Sequence, residues 1–340
     1  MFKYFITPIM EEEYFDVCKE GSSLIDLDIE IKDEKMIVLD KTGQYGTTVD
    51  SKKLNENKYI KNLVIKVNQI ENINIELFPC FLTPENRFTK SLEMSPFVNS
   101  IDYVLIDNFF YVNKDKKILK IPYNSTDIFN CSELLNTDKF YMSKAFKEKN
   151  LLIFVENCRN EKLLTYEAIK KNVIEINLFN SNLLYPVYGF SCLSEHLAMN
   201  LSMKGVMFCV NEKVKQVKSL NEKYPYRFEI KEATIYSKKY DGFKLPEGRN
   251  FVRVIVTENY KFTGNFKAFV DGNEIVTVYG LNALSNCCPD GFQMLYFTKK
   301  HSKIDDFDLK LLTIDKTAIK FDASFETNFS IEKYTAVINK

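Results

Sequence analysis

The sequence predicts a mixed β and α/β chain, with two antiparallel β-sandwich-like domains flanking a small β-α-β-α-β-α segment. Three observations carry this. Apolar and polar residues alternate through long stretches at both ends of the chain. Between about 150 and 224 the period changes, and short apolar runs separate helix-length segments. Asp271-Gly272 stands between two alternating runs, the pattern of a two-residue hairpin turn. The divisions that follow are a β-rich domain over 1–148, an α/β segment over 149–224 and a β-sandwich-like domain over 225–340.

In "IDLDIEIKDEKMIVLD", Ile25, Leu27, Ile29 and Ile31 alternate with Asp26, Asp28 and Glu30, which predicts a half-solvated strand. Met36–Leu39 follows a charged turn as a second strand. Leu63, Ile65 and Val67, then Ile73, Ile75 and Leu77, repeat the pattern, and "IDYVLIDNFFYVNKDKKILKIPY" adds further strands. Such strands with short polar turns predict an antiparallel sandwich or open barrel.

In the middle region, Leu151–Val155 and Val173–Leu178 are buried runs around a helical Lys162–Lys171. "SCLSEHLAMNLSMKG" is helical and "VMFCV" a strand. "NEKVKQVKSLNEKY" is helical again, with Val214, Val217 and Leu220 on one side and Asn211 as N-cap. Strand and helix alternating over so short a span predict a parallel sheet with crossover helices. Beyond 226, "YRFEIKEATIYS", "NFVRVIVTENY", "FKAFVDGNEIVTVYG", "LKLLTIDKTAIKFDASF" and "SIEKYTAVIN" supply the second sandwich. "NFVRVIVTENY" is taken as an edge strand, guarded only by Arg253 and Glu258.

At 340 residues, 45% hydrophobic and 27% charged, the chain is ordinary globular protein. Lys+Arg and Asp+Glu balance at 46 each, so no global field points to nucleic acid or an acidic membrane. The N-terminus does not have the form of a secretory signal, and no apolar run reaches the length of a membrane span. Eight scattered cysteines without a C-x-x-C predict free thiols in a reducing cytoplasm.

Three constellations invite a chemical reading. Glu156 ends one buried run and Glu175 lies in the next. "IFVENCRNEKLL" resembles the first motif of Toprim-type metal-dependent nucleases and topoisomerases, with Glu156 at the acidic position. The resemblance implies a phosphodiester enzyme using Glu156 and nearby acids. Asn157 stands where that family has Gly, and Glu175-Ile176-Asn177 where it has Asp-x-Asp. Next, Cys192, His196, Met199 and Met203 share one helical face, and with Cys209 they form a potential soft-metal or thiol site. Leu193, Leu197 and Leu201 on the adjoining face predict instead a buried helix in which those residues fill core. Lastly, "NCCPDGF", with Cys287 and Cys288, is taken as a turn on Pro289-Asp290-Gly291. His301 is the second histidine and lies far along the chain from His196.

No catalytic, cofactor-binding or metal residue is therefore assigned, and the chain is expected not to be an enzyme. The expected function is that of a structural or assembly protein, a phage or virus particle or tail component, acting through protein surfaces. Its partners would be copies of itself or other subunits of an assembly, in the host cytoplasm or in the virion. The alternatives are the Toprim-like enzyme and a carbohydrate- or protein-binding module.

Overall fold

The computed structural model describes residues 12–339 except 41–44, 113–115, 121–124, 133–135, 141–152, 156–172, 176–182, 211–213, 231–232, 272–273 and the single residues 58, 85, 94, 98, 107, 117, 138, 243, 259, 261 and 263. Among these, strands β1 to β10 are Glu12–Glu20, Met36–Asp40, Thr48–Asp50, Ile60–Asn68, Asn74–Glu76, Tyr103–Ile106, Asn108–Val112, Ile118–Lys120, Ile153–Val155 and Val173–Glu175. Strands β11 to β20 are Leu183–Pro186, Met207–Val210, Lys215–Lys218, Tyr226–Ile230, Ala233–Asp241, Glu247–Glu258, Phe266–Asp271, Ile275–Asn282, Phe292–Lys299 and Ile319–Phe329. The helices are α1 Arg87–Glu93, α2 Ser125–Asn130, α3 Phe190–Met203, α4 Asp306–Leu311 and α5 Ile331–Ile338.

Two large sheets organise the chain. The first has the order β12-β2-β1-β15-β14-β13. Its first four strands are parallel, and β15, β14 and β13 continue it as an antiparallel meander. The second has the order β4-β20-β16-β19-β18-β17-β7-β8 and is antiparallel except where β7 runs parallel to β17. The mixed, sheet-dominant α/β class stands. The two successive sandwiches do not, because both sheets draw strands from the two ends of the sequence: β1 pairs with β15, and β4 with β20.

One core lies between the sheets and joins Val17 and Val38 to Val254, Tyr296 and Phe321, with Phe190, Leu193, Leu197 and Leu201 of α3. A second cluster, around Ile255, Phe266 and Phe297, covers the outer face of the eight-stranded sheet with Leu309 and Leu312 beside it.

Several local expectations change. The alternating Ile25–Ile31 stretch forms no strand: residues 24–27 are a turn, and Leu24, Ile25 and Leu27 are all buried. The reason is topological. Parallel strands β1 and β2 need a crossover, and this segment is the crossover. Where the sequence predicts a helix over 211–224, the described residues from 214 onward form strand β13 and the turn into β14. Leu220 is 90% exposed, so the i, i+3 spacing there was coincidental. The expected parallel sheet of the middle region is also corrected: β9 and β10 pair antiparallel, and among the described strands of that region only β12 pairs in parallel. Finally, β16 is central, bonded to β19 on one side and β20 on the other. The expected hairpin forms between β17 and β18, but Asp271 pairs with Ile275 as the last residue of β17, so the connection is not the two-residue Asp271-Gly272 turn.

Candidate protein-docking site

Helix α3 is held by its N-terminus. Tyr188 and Gly189 both adopt positive φ, +69° and +86°, to turn the chain out of β11 into the helix. A side chain at Gly189 would meet Thr48 Oγ1 at 2.5 Å, and one at Gly46 would meet Ser191 Cα at 2.9 Å. The two backbones can therefore approach closely enough to bond. Thr48 N–H donates to Ser191 Oγ (3.0 Å), Ser191 N–H donates to Thr48 Oγ1 (3.1 Å), and the Ser191 hydroxyl donates to Thr48 O (2.8 Å).

Beneath this joint sits Glu76, fully buried. Its carboxyl accepts from Thr48 Oγ1 at 2.7 Å and from Phe78 N–H at 3.2 Å, and the Phe190 backbone also bonds it. Burial outweighs these bonds and raises its pKa from the ordinary 4.5 to about 7. Between those values the folded state holds a proton that the unfolded chain has released. Stability from this group is therefore present below pH 4.5 and falls as pH rises to about 7, by about 3 kcal/mol, then levels. Subtracting the urea-unfolding energies of Glu76→Gln from wild type across pH 4 to 8 should recover that slope. A pH-independent difference would mean that Glu76 does not titrate in this window.

The buried side of α3 carries Phe190, Leu193, Leu197, Ala198 and Leu201. The sequence placed Cys192, His196, Met199 and Met203 on one face, and the structure keeps them together, but on the outer side. The first three are half-buried and Met203 is 65% exposed. They are thus not core fillers. His196 Nδ1–H donates to the Cys192 carbonyl at 2.8 Å, and burial raises the Cys192 pKa, disfavouring the thiolate a metal would need. No group of three or more potential ligands converges among the described residues. Cys209 packs in a separate cluster with Cys18, Ile37 and Leu39.

Tyr45, which sequence reasoning missed, extends the outer face. Its ring lies 6.0 Å from Phe208 of β12, the edge strand of the first sheet, and it feels the charge of Glu195 on α3. The only hint was a tyrosine before Gly46. Exposed Tyr188 lies at the helix entrance. The result is an adaptable, weakly charged surface on a firmly tied helix, with polarizable methionines of the kind that suit protein contacts.

The other sequence candidates do not join it. Glu156 and Cys158 lie outside the described residues. Glu175 ends β10, away from any parallel strand pair. His301 N–H donates to Glu274. Cys287 and Cys288 are buried free thiols, followed by the expected turn, in which Phe292 N–H bonds Pro289 O.

Parallel sheets of this type bind dinucleotides beyond the carboxyl ends of their strands. The residues there do not fit one. Gly21 is the sole glycine of the β1–β2 connection, which offers a turn rather than a helix N-terminus. The Ser22 hydroxyl bonds Asp40, and Tyr240 bonds Glu20. Asp26 takes the N–H groups of Ser23 (3.1 Å) and Lys244 (3.1 Å). A pyrophosphate would meet carboxylates there, with these backbone donors already engaged.

A family model described as "GDI: GDP dissociation inhibitor" matches residues 10–181, just over half of the chain. The fold is similar to the Rab GDI of Plasmodium falciparum, with a TM-score of 0.65 and 14% identity over 93% of this chain and 89% of that one. It is also similar to a protein assigned as a protoporphyrinogen oxidase from Exiguobacterium sp. 255-15, with a TM-score of 0.51 and 10% identity over 91% and 86%. No curated protein matches the sequence.

These findings overturn the expected role in a phage or virus particle: the family model is that of GDP dissociation inhibitors, and nothing in it is viral. They also overturn the inference that a chain without familiar catalytic motifs is no enzyme, because the fold is shared with a protein assigned as an oxidase. The Toprim-type alternative falls as well, since the strands around its motif pair antiparallel in a sheet of their own.

Proposed function

We propose, from the premise that this chain belongs to the GDP dissociation inhibitor family, that it binds a Rab-class GTPase in its GDP form and slows release of the nucleotide. The observation that carries the reading is the outer stripe of α3, Cys192, His196, Met199 and Met203, continued by Tyr45 and Phe208 on a joint fixed by Thr48 and Ser191. A partner docking there would cover apolar and polarizable side chains with little reordering of the helix, so that less of the contact energy is lost to fixing the surface. The role is that of a cytosolic protein. No helix among the described residues is long and apolar enough to cross a membrane.

The test is the release rate of a fluorescent GDP analogue from Rab GTPases of the source cell. Wild-type protein should slow it. Met203→Glu, at an exposed position, should weaken the effect about tenfold or more while thermal unfolding stays unchanged. Release unaffected by saturating wild-type protein would sink the reading.

A further inference from the structure

The crossover that replaces a helix between β1 and β2 leaves space behind it. A cavity of about 370 Å³ opens between residues 27–31, α1 and the second half of α3, within the roughly 300–1,000 Å³ of small-molecule sites. Its walls include Leu27, Ile29, Ile31, Phe88, Leu197 and Leu201. It lies on the inner side of α3, opposite the docking stripe.

The polar groups at this cavity are incompletely used. Asn200 is 5% exposed and its carboxamide is one of the polar groups lining the space. Lys204 is at the cavity too, with no ion-pair partner among the described residues. Arg87 gives Nη1 to Asp28 at 2.7 Å, while its buried Nε has no partner. Arg87 and Lys204 against Asp28 leave one excess positive charge. The Ser91 hydroxyl adds a further donor and acceptor.

We infer that this cavity binds a small organic anion, its carboxylate or phosphate head between Arg87 and Lys204 and its body against the apolar walls, with a polar atom at Asn200. An inorganic ion would satisfy the head groups only. A neutral apolar molecule would leave the buried Arg87 Nε unmet.

Calorimetric titration of the full chain with octanoate, phenyl phosphate and inorganic phosphate tests this. At least one organic anion should bind more tightly than inorganic phosphate. Lys204→Glu should weaken it about tenfold, and Asn200→Leu should weaken it also, with thermal unfolding monitored for both. Should Asn200→Leu fail to fold, Lys204→Glu decides, because that side chain is exposed. No binding of either organic anion, equal binding of inorganic phosphate, or unchanged affinity in Lys204→Glu would each overturn the proposal. The docking variant Met203→Glu should keep full anion affinity, so failure of the GTPase reading and failure of this one are separable.

Discussion

Replacing Asp322 with alanine should destabilise the protein by about 3–5 kcal/mol. Asp322 on β20 receives both Nε and Nη2 of Arg253, at 2.8 and 2.7 Å, in a two-pronged bond between adjacent central strands. The Arg253 side chain is 3% exposed. Its remaining contact, Asp306 at 3.2 Å, is on a half-exposed carboxylate that Lys316 shares. Truncating Asp322 therefore leaves a guanidinium dehydrated and largely uncompensated. Substituting both partners, Arg253→Leu with Asp322→Leu, should recover much of the loss, because no charge is then stranded. Urea unfolding of the two variants reads both numbers. A loss below about 1 kcal/mol in Asp322→Ala would show that water reaches Arg253.

Val254→Lys should abolish cooperative unfolding altogether. Val254 is fully buried in the middle of β16, opposite Tyr296 on β19 and Ala323 on β20. An ammonium placed there has no anionic partner opposite it and no route to solvent, a severe lesion of several kcal/mol. The control is Val64→Lys on β4, the true edge of the same sheet, where the side chain is 52% exposed. That change should cost less than about 0.5 kcal/mol. Thermal melts followed by circular dichroism distinguish them, and a folded Val254→Lys protein would contradict the central placement of β16.

The sequence showed strands where alternation met a neighbour able to pair, as in β14 to β18. It failed where the pattern was shaped by connection rather than by pairing. Ile25 to Ile31 alternate like a strand, yet they cross over the sheet and have no strand partner of their own. Val214, Val217 and Leu220 have helical spacing, but the backbone bonds to β14 decide in favour of β13. The apolar stretch of β16 from Asn250 onward has only Arg253 and Glu258 as charges, which suggested an edge. Arg253 is in fact neutralised across the sheet by Asp322, a partner 69 residues away that no local pattern reveals. The docking stripe was half legible. Its residues were identified together on one helical face, but which face looks outward depends on the Thr48–Ser191 joint, and that joins positions 143 residues apart.

The pairing of β1 with β15 has a consequence for biosynthesis. Val17 lies opposite Lys239, a separation of 239 − 17 = 222 residues. At roughly 5–20 residues per second, a ribosome needs on the order of ten to forty-five seconds to cover that gap. During this interval β1 has at most β2 beside it, and its other edge and the apolar residues Phe15 and Val17 are uncovered. The six-stranded sheet closes only late in translation, since β12 and β15 are needed on its two sides. The face carried by α3, Tyr45 and Phe208 is likewise incomplete until β12 has emerged. A nascent chain should depend on chaperones throughout this period, and it should capture no GTPase before release of its first 210 residues from the ribosome.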